Sequence, residues 1–198
     1  MKNIVLMSLI IAAVVLASCG NKKQPTYGSV KSSRMEVNHN KTVFGICGDG
    51  TAMNTLQLIT DSGDTLELGI TTARDKNQVF GGLQCGDRMA VMLSRDKTEA
   101  TLVINESSLL GNWIQPNPID GSSDVGICIK EGGIAESIDQ SSILYKTWKI
   151  NNGKLEITLR REGGGDQEET NTYWLKSLGN DSLVYTDGQD DYAYSRRK

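Results

Sequence analysis

The acidic side chains with the best spacing for chemistry form two sets. Asp187, Asp190 and Asp191 stand close together, and clustered carboxylates in extracellular loops can bind Ca²⁺. Their spacing is not that of a calcium-binding loop, so the pattern favours a solvated turn. Glu67 and Glu156 could form an acid/base pair across a groove. Each alternates with strand leucines, which places it on the solvent side of its strand, and we therefore expect neither a metal site nor a carboxylate pair.

Nucleophilic catalysis has no support in the composition either. The single histidine, His39, lies outside the segments with strand periodicity, so no Ser-His-Asp or Cys-His pair can be assembled from a packed core. Cys47, Cys85 and Cys128 lack zinc-ligand spacing, and no phosphate-binding glycine loop is present. We expect no enzyme activity and no cofactor. The three cysteines are expected as buried thiols, with Cys47–Cys85 as the pair if a bridge forms.

Four aromatic residues are the candidates for ligand binding. Tyr145, Trp148, Tyr173 and Trp174 could line a cavity for a small apolar or sugar-like molecule. Taken singly, each is expected to pack in a core, as aromatic residues in strands usually do. Taken together, four such rings would overfill a short barrel, which keeps the binding interpretation open.

The N-terminus carries a targeting pattern. Lys2 precedes an uncharged apolar run over residues 4–16, which is shorter than the roughly 20 residues of a membrane-spanning helix. The run ends in Leu16-Ala17-Ser18-Cys19, which resembles the lipobox of bacterial lipoproteins. The resemblance implies removal of residues 1–18 and lipidation of Cys19, including palmitate, as a stable membrane anchor. The alternative is an ordinary secretory signal peptide with a chance cysteine.

Charge and composition narrow the partners and the location. The formal net charge of −3 argues against nucleic acid and anionic lipid headgroups as partners. No acidic cluster follows Cys19, and the lipoprotein resemblance then implies the cell envelope, on the periplasmic side of the outer membrane. Residues 19–41 are polar and without periodicity, which indicates a flexible tether.

Alternating apolar residues from Thr42 onward predict β-strands. Leu56 and Leu58, a turn at residues 61–64, and Leu66 and Leu68 form a hairpin pattern. We expect five or six short strands up to Asn105, in a small domain over residues 42–107 that looks loosely like an OB-type or SH3-like barrel. A single barrel-like domain that uses the whole chain is the competing interpretation.

Residues 108–198 are expected to form a second β-domain. The turns Asn151-Asn152-Gly153 and Gly179-Asn180 separate short alternating segments at the spacing of barrels and sandwiches. Only residues 131–142 could hold a helical turn, so the predicted fold class is all-β.

The ends of this second half resemble the lipocalin-like domains of bacterial lipoproteins. Gly111-Asn112-Trp113 opens it, and Tyr192-x-Tyr194-x-Arg196, followed by Arg197, closes it. The resemblance implies an eight-stranded antiparallel barrel in which Gly111 and Trp113 lie on the first strand. Trp113 would plug the barrel floor, with Arg196 or Arg197 stacked on its ring through a cation–π contact. Because few residues follow Trp113, short strands and a small interior are expected.

The sequence thus predicts a membrane-anchored, lipocalin-like binding or interaction module without catalysis. Its partner would be a small hydrophobic molecule or an envelope protein. The alternative is a structural or assembly lipoprotein with a filled core and no small-molecule ligand.

Overall fold

A computed structural model describes residues 41–121 and 123–198. The predicted signal peptide, Cys19 and His39 lie outside the described residues. Within those ranges the chain forms fourteen strands and three short helical segments. The all-β fold class is therefore confirmed.

Six strands form the N-terminal sheet, in the order β3-β2-β1-β5-β6-β4. Their bounds are β1 Val43–Cys47, β2 Thr55–Thr60, β3 Thr65–Gly69, β4 Val79–Phe80, β5 Arg88–Leu93 and β6 Ala100–Asn105. Leucines at alternate positions of β2 and β3 point into one core, as their pattern predicts. One parallel bridge joins Gly69, at the end of β3, to Glu99, just before β6. The six strands form a sheet of their own, separate from the closed barrel described below.

Two similar strand corners of the N-terminal sheet meet each other. The backbone N–H of Cys47 donates to the carbonyl of Asp87, and the N–H of Gly86 donates to the carbonyl of Cys47, both at 2.8 Å. The three cysteines within the described residues are free thiols. Cys47 is buried, as expected, whereas Cys85 is exposed because it stands in the turn before Gly86; the expectation of a buried thiol is wrong there.

The remaining eight strands close an antiparallel barrel in the order β10-β11-β12-β13-β14-β7-β8-β9. Their bounds are β7 Gly111–Pro116, β8 Asp124–Lys130, β9 Ile134–Ile138, β10 Ile143–Asn151, β11 Lys154–Arg161, β12 Glu168–Leu178, β13 Ser182–Thr186 and β14 Asp191–Arg196. Pairing of Arg196 with Trp113 joins the last strand to the first. The expected short strands are wrong for β10–β12, which have 9, 8 and 11 residues and give the barrel an interior.

Two register shifts decide which residues face that interior. Between Tyr145 and Thr147 on β10 the pairing with β11 slips, so Tyr145 and Trp148, three positions apart, both point inward. A second shift, between Leu175 and Ser177 on β12, likewise turns side chains three positions apart to the same face of the strand. Simple alternation therefore fails at both places.

The β10–β11 hairpin joins the barrel to the N-terminal sheet. Asn152 and Gly153 have φ values of 49° and 70°, the left-handed conformations that an Asn-Gly turn supplies, so the predicted turn is confirmed. The N–H of Gly153 donates to Oγ1 of buried Thr42 at 3.0 Å. A side chain at Gly153 would press on Met92 of β5.

The helical segments are short. A 3₁₀ turn covers Glu131–Gly133, within the range expected for a helical turn. Helices α1 (Thr71–Asp75) and α2 (Glu106–Leu109) were not expected, because one helical turn is too short to show periodicity. The side chain of Asn105 caps α2 by accepting from the N–H of Ser108 at 2.9 Å. None of the helices within the described residues is long and apolar enough to cross a membrane.

Candidate binding site

One end of the barrel, called here the closed end, is filled around Trp113. The Trp113 side chain is 0 % exposed, and its indole N–H donates to the carbonyl of Leu109 at 2.7 Å. Phe80, Ala90 and Ile104 of the N-terminal sheet share a core with Trp113. The N-terminal sheet therefore helps to seal this end of the barrel.

Arg196 covers the indole from the other side. Its guanidinium carbon lies 4.0 Å from the Trp113 ring centroid, within cation–π range. Its Nη1 donates to the carbonyl of Leu110 at 2.6 Å, and its Nη2 donates to the carbonyl of Ser108 at 2.8 Å. Gly111 has a φ of 131°, and a Cβ there would collide with Nη1 of Arg196. Of the two arginines that the sequence left open, Arg196 is the one on the ring.

The opposite end of the barrel, called here the mouth, is open. It leads to a cavity of about 510 Å³, within the range of small-molecule sites. Strand ends and loops contribute Gln115, Gln140, Ser142 and Arg161 to its rim. Five tyrosines line it: Tyr145, Tyr173, Tyr185, Tyr192 and Tyr194.

The tyrosine rings pack in a defined arrangement. Tyr185 stacks between Tyr192 and Tyr194, with centroid distances of 5.4 and 5.5 Å and interplanar angles of 27° and 26°. Tyr173 meets the ring of Tyr192 edge-on at 5.6 Å and 80°. These are the offset and edge geometries that aromatic pairs prefer, so the cavity wall is a fixed aromatic surface.

Two of the phenol groups are joined by a hydrogen bond. The hydroxyl of Tyr185 donates to that of Tyr194 at 3.2 Å. Burial raises the pKa of Tyr145, Tyr185 and Tyr194 above the ordinary value for tyrosine. These hydroxyls therefore stay protonated at neutral pH.

Among the described residues, the charged side chains that line this cavity are Asp139, Arg161 and Glu162, at its rim. Nε of Arg161 donates to Glu169 at 2.7 Å, and Asp139 accepts from Arg197 at 3.1 Å. Glu162 is exposed at the rim as well. The wall below the rim presents rings, hydroxyls and aliphatic side chains.

The structure places the four predicted ligand residues in different regions of the barrel. Tyr145 and Tyr173 both line the cavity. Trp148 instead lies nearer the closed end, where it borders a separate recess of about 230 Å³ and donates its indole N–H to the carbonyl of Lys130 at 2.8 Å. Trp174 is 46 % exposed on the outer face, with Nζ of Lys154 4.6 Å from its ring centroid. Neither tryptophan lines this cavity, so a role for Trp148 or Trp174 in ligand binding stays a prediction.

Three tyrosines of the cavity were missed as site residues. Tyr192 and Tyr194 stand two apart on β14, so they share a face. Tyr185 pairs directly with Tyr192 in the neighbouring strand. The alternation of Tyr192 and Tyr194, next to a strand that carries Tyr185, could have indicated these three residues as cavity residues.

The acidic sets form no reactive centre. Asp187 accepts from the backbone N–H groups of Gln189 and Asp190 at 2.9 and 2.8 Å, which makes it a turn residue. Glu67 accepts from Gln57 in the N-terminal sheet, whereas Glu156 pairs with Lys149 in the barrel. In the described part of the chain, no cluster of acidic, histidine or cysteine side chains could hold a metal ion.

A wider groove of about 780 Å³ runs between the N-terminal sheet and the barrel. Arg74 and Asn77 lie on its sheet side, and Lys176 on its barrel side. Lys176 is paired with Asp191 at 2.6 Å. The groove is distinct from the tyrosine cavity.

Comparison with known proteins gives two similarities. Residues 105–197 match the family model described as lipocalin-like. A crystal structure of a lipocalin-like protein from Bacteroides thetaiotaomicron is 32 % identical, covers 46 % of this chain and 97 % of its own length, and aligns with a TM-score of 0.42. No curated protein matches the chain. Through residues 105–197, the chain belongs to the lipocalin-like family.

Proposed function

We propose that the chain is a lipid-anchored binding module that holds a small, largely hydrophobic molecule in the tyrosine-lined cavity. The observation that carries this proposal is the contrast within one barrel: the closed end is filled, whereas a cavity of about 510 Å³ opens at the mouth. A barrel with a purely structural role has no need of such an opening. The lipocalin-like family match supports a binding or interaction role.

Attachment to the membrane is the second part of the proposal. The pattern Leu16-Ala17-Ser18-Cys19 supports lipidation of Cys19, with residues 19–41 as the tether. We place the module in the cell envelope, on the periplasmic side of the outer membrane. Nucleic acid is not among its proposed partners, since the net charge is −3.

We propose binding without catalysis. The cavity wall carries phenols held neutral by burial, and such groups neither attack a substrate nor exchange protons readily at neutral pH. Arg161, the cation at the rim, is engaged by Glu169. The site fits retention of a molecule better than its turnover.

Native mass spectrometry of the full chain carrying Cys19→Ser tests the binding role. We expect a small molecule to co-purify and to be released on denaturation. Ser142→Trp places an indole at the rim, where Ser142 is exposed, and should lower occupancy several-fold. Lys146→Trp, at an exposed position of the adjoining strand β10, is the matched control and should retain the ligand.

An empty cavity in repeated preparations, together with no binding of apolar probes, would favour the alternative of a structural or assembly lipoprotein. The anchor is tested separately by growth with radiolabelled palmitate. We expect label on the wild-type chain and none on Cys19→Ala. An unlabelled wild-type chain would refute the anchor and leave the binding role standing.

A further inference from the structure

We infer that the tyrosine cavity selects a neutral, planar aromatic molecule that carries a hydrogen-bond acceptor. This inference deepens the proposed binding function and rests on it. Three properties of the cavity support it: the orientation of the rings, the direction of the hydroxyl hydrogen bonds, and the pairing of the rim charges.

The rings favour a flat ligand. Tyr194, Tyr185 and Tyr192 form a near-parallel stack, and Tyr192 is half-buried at its end, beside the cavity. Tyr173 stands edge-on to Tyr192 and limits the space beside it. A planar ring can continue such a stack in an offset geometry, whereas a flexible acyl chain gains no such contact and loses rotational freedom on binding.

The hydroxyl network leaves one donor for the ligand. The hydroxyl of Tyr185 donates to the oxygen of Tyr194 at 3.2 Å. Because Tyr194 is the acceptor in this bond, its own proton is directed elsewhere and is available to an acceptor in the cavity. A carbonyl, ether or ring nitrogen on the ligand would satisfy it.

The charges favour a neutral ligand. Two of the three charged residues that line the cavity have counterions, since Arg161 is bound to Glu169 and Asp139 is bound to Arg197. The third, Glu162, is an anion and would repel a ligand carboxylate. A ligand carboxylate would have to displace Glu169 to gain a partner. An ionised group deeper in the cavity would meet neutral phenols alone and would lose its hydration.

The test compares four probes on the full chain carrying Cys19→Ser, by isothermal titration calorimetry or ligand-observed NMR. Coumarin is planar and neutral and has a carbonyl acceptor. Naphthalene has a similar shape without the acceptor, dodecanoate is an acyl anion, and methyl glucoside is a neutral sugar. We expect coumarin to bind most tightly of the four.

Tyr194→Phe separates the acceptor contact from stacking. It should weaken coumarin binding roughly tenfold, the loss expected for one hydrogen bond, and leave naphthalene binding unchanged. Trp174→Phe, on the outer face, is the control for both probes. The barrel of each variant is checked by its circular dichroism spectrum and urea midpoint.

Tighter binding of dodecanoate or methyl glucoside than of coumarin would overturn the inference while leaving the proposed function intact. So would equal losses for coumarin and naphthalene in Tyr194→Phe. If none of the four probes binds and native mass spectrometry finds no co-purified molecule, both proposals fail. If a co-purified molecule is present but coumarin does not bind, the inference alone fails.

Discussion

The two ends of the barrel use aromatic residues for different purposes. At the closed end, the Trp113 ring is covered by Arg196 and by residues of the N-terminal sheet, and its N–H is satisfied by Leu109. At the mouth, five tyrosines present hydroxyls and ring surfaces to an open cavity. Tryptophan with arginine seals one end, and tyrosine with tyrosine lines the other.

The difference shows how one barrel can combine stability with an opening. A filled end covered by a second sheet supplies buried area and a network of bonds that hold the strand ends. The mouth then needs only to keep its own rings in place, which they do by packing on one another. We therefore expect substitutions at the closed end to lower the free energy of unfolding, and substitutions at the mouth to change binding.

Trp113→Ala should have the largest effect. It removes a fully buried indole, its hydrogen bond to Leu109 and the stacking surface of Arg196. Large-to-small changes of this kind cost about 3–5 kcal/mol, and the loss should appear as a lower urea midpoint. Trp174→Ala, on the exposed outer face, is the control and should cost less than about 1 kcal/mol. Similar costs for the two variants would contradict the assignment of the closed end.

Arg196→Lys should have the next largest effect. Lysine keeps the charge but cannot lie flat on Trp113 while donating to both Leu110 and Ser108. We expect the free energy of unfolding to fall by about 2 kcal/mol. Arg197→Lys disturbs only the exposed pair with Asp139 and should cost about 0–1 kcal/mol. An equal cost for both variants would show that the closed end does not depend on the guanidinium geometry.

Tyr185→Phe should have a smaller effect at the mouth. The ring stays in the stack between Tyr192 and Tyr194, and one hydrogen bond to Tyr194 is lost. The free energy of unfolding should fall by about 1 kcal/mol, measured by urea denaturation. A loss as large as that of Trp113→Ala would mean that the mouth supports the barrel as much as the closed end does.

The pH dependence of stability should show the smallest effect. Burial and the hydrogen bond to Asp187 raise the pKa of Tyr192 to about 12, whereas unfolded tyrosine titrates near 10. Between these values the unfolded chain loses the phenol proton and the folded chain keeps it. Stability from this group is thus complete below pH 10 and declines as pH rises toward 12. Tyr192→Phe should make the decline shallower in urea titrations, and an unchanged slope would contradict the burial of this phenol.

Strand alternation predicted much of the fold. The hairpin of Leu56, Leu58, Leu66 and Leu68 appears where its pattern places it, and so does the Asn152-Gly153 turn. Local signals of this kind are strong because strand period and turn chemistry are set within a few residues. The two unexpected helices are single turns, which leave no such signal.

Only part of the candidate site could be predicted from the sequence. Tyr173 and Trp174 are neighbours on β12, and neighbours in a strand face opposite sides, so they could not both line one cavity. Trp148 points inward, but it lies nearer the closed end, and height along the barrel depends on shear that a single sequence does not show. The Tyr145–Trp148 relation also depends on a bulge that breaks the period of two.

The bond between Gly153 and Thr42 has a consequence for access. Thr42 is held at the turn of the β10–β11 hairpin, whereas Ile143 and Arg161 at the far ends of those strands border the mouth. An eight-residue strand such as β11 is about 25 Å long. The chain at Thr42 therefore contacts the barrel at the end away from the mouth, and none of the described residues of the N-terminal sheet lines the tyrosine cavity.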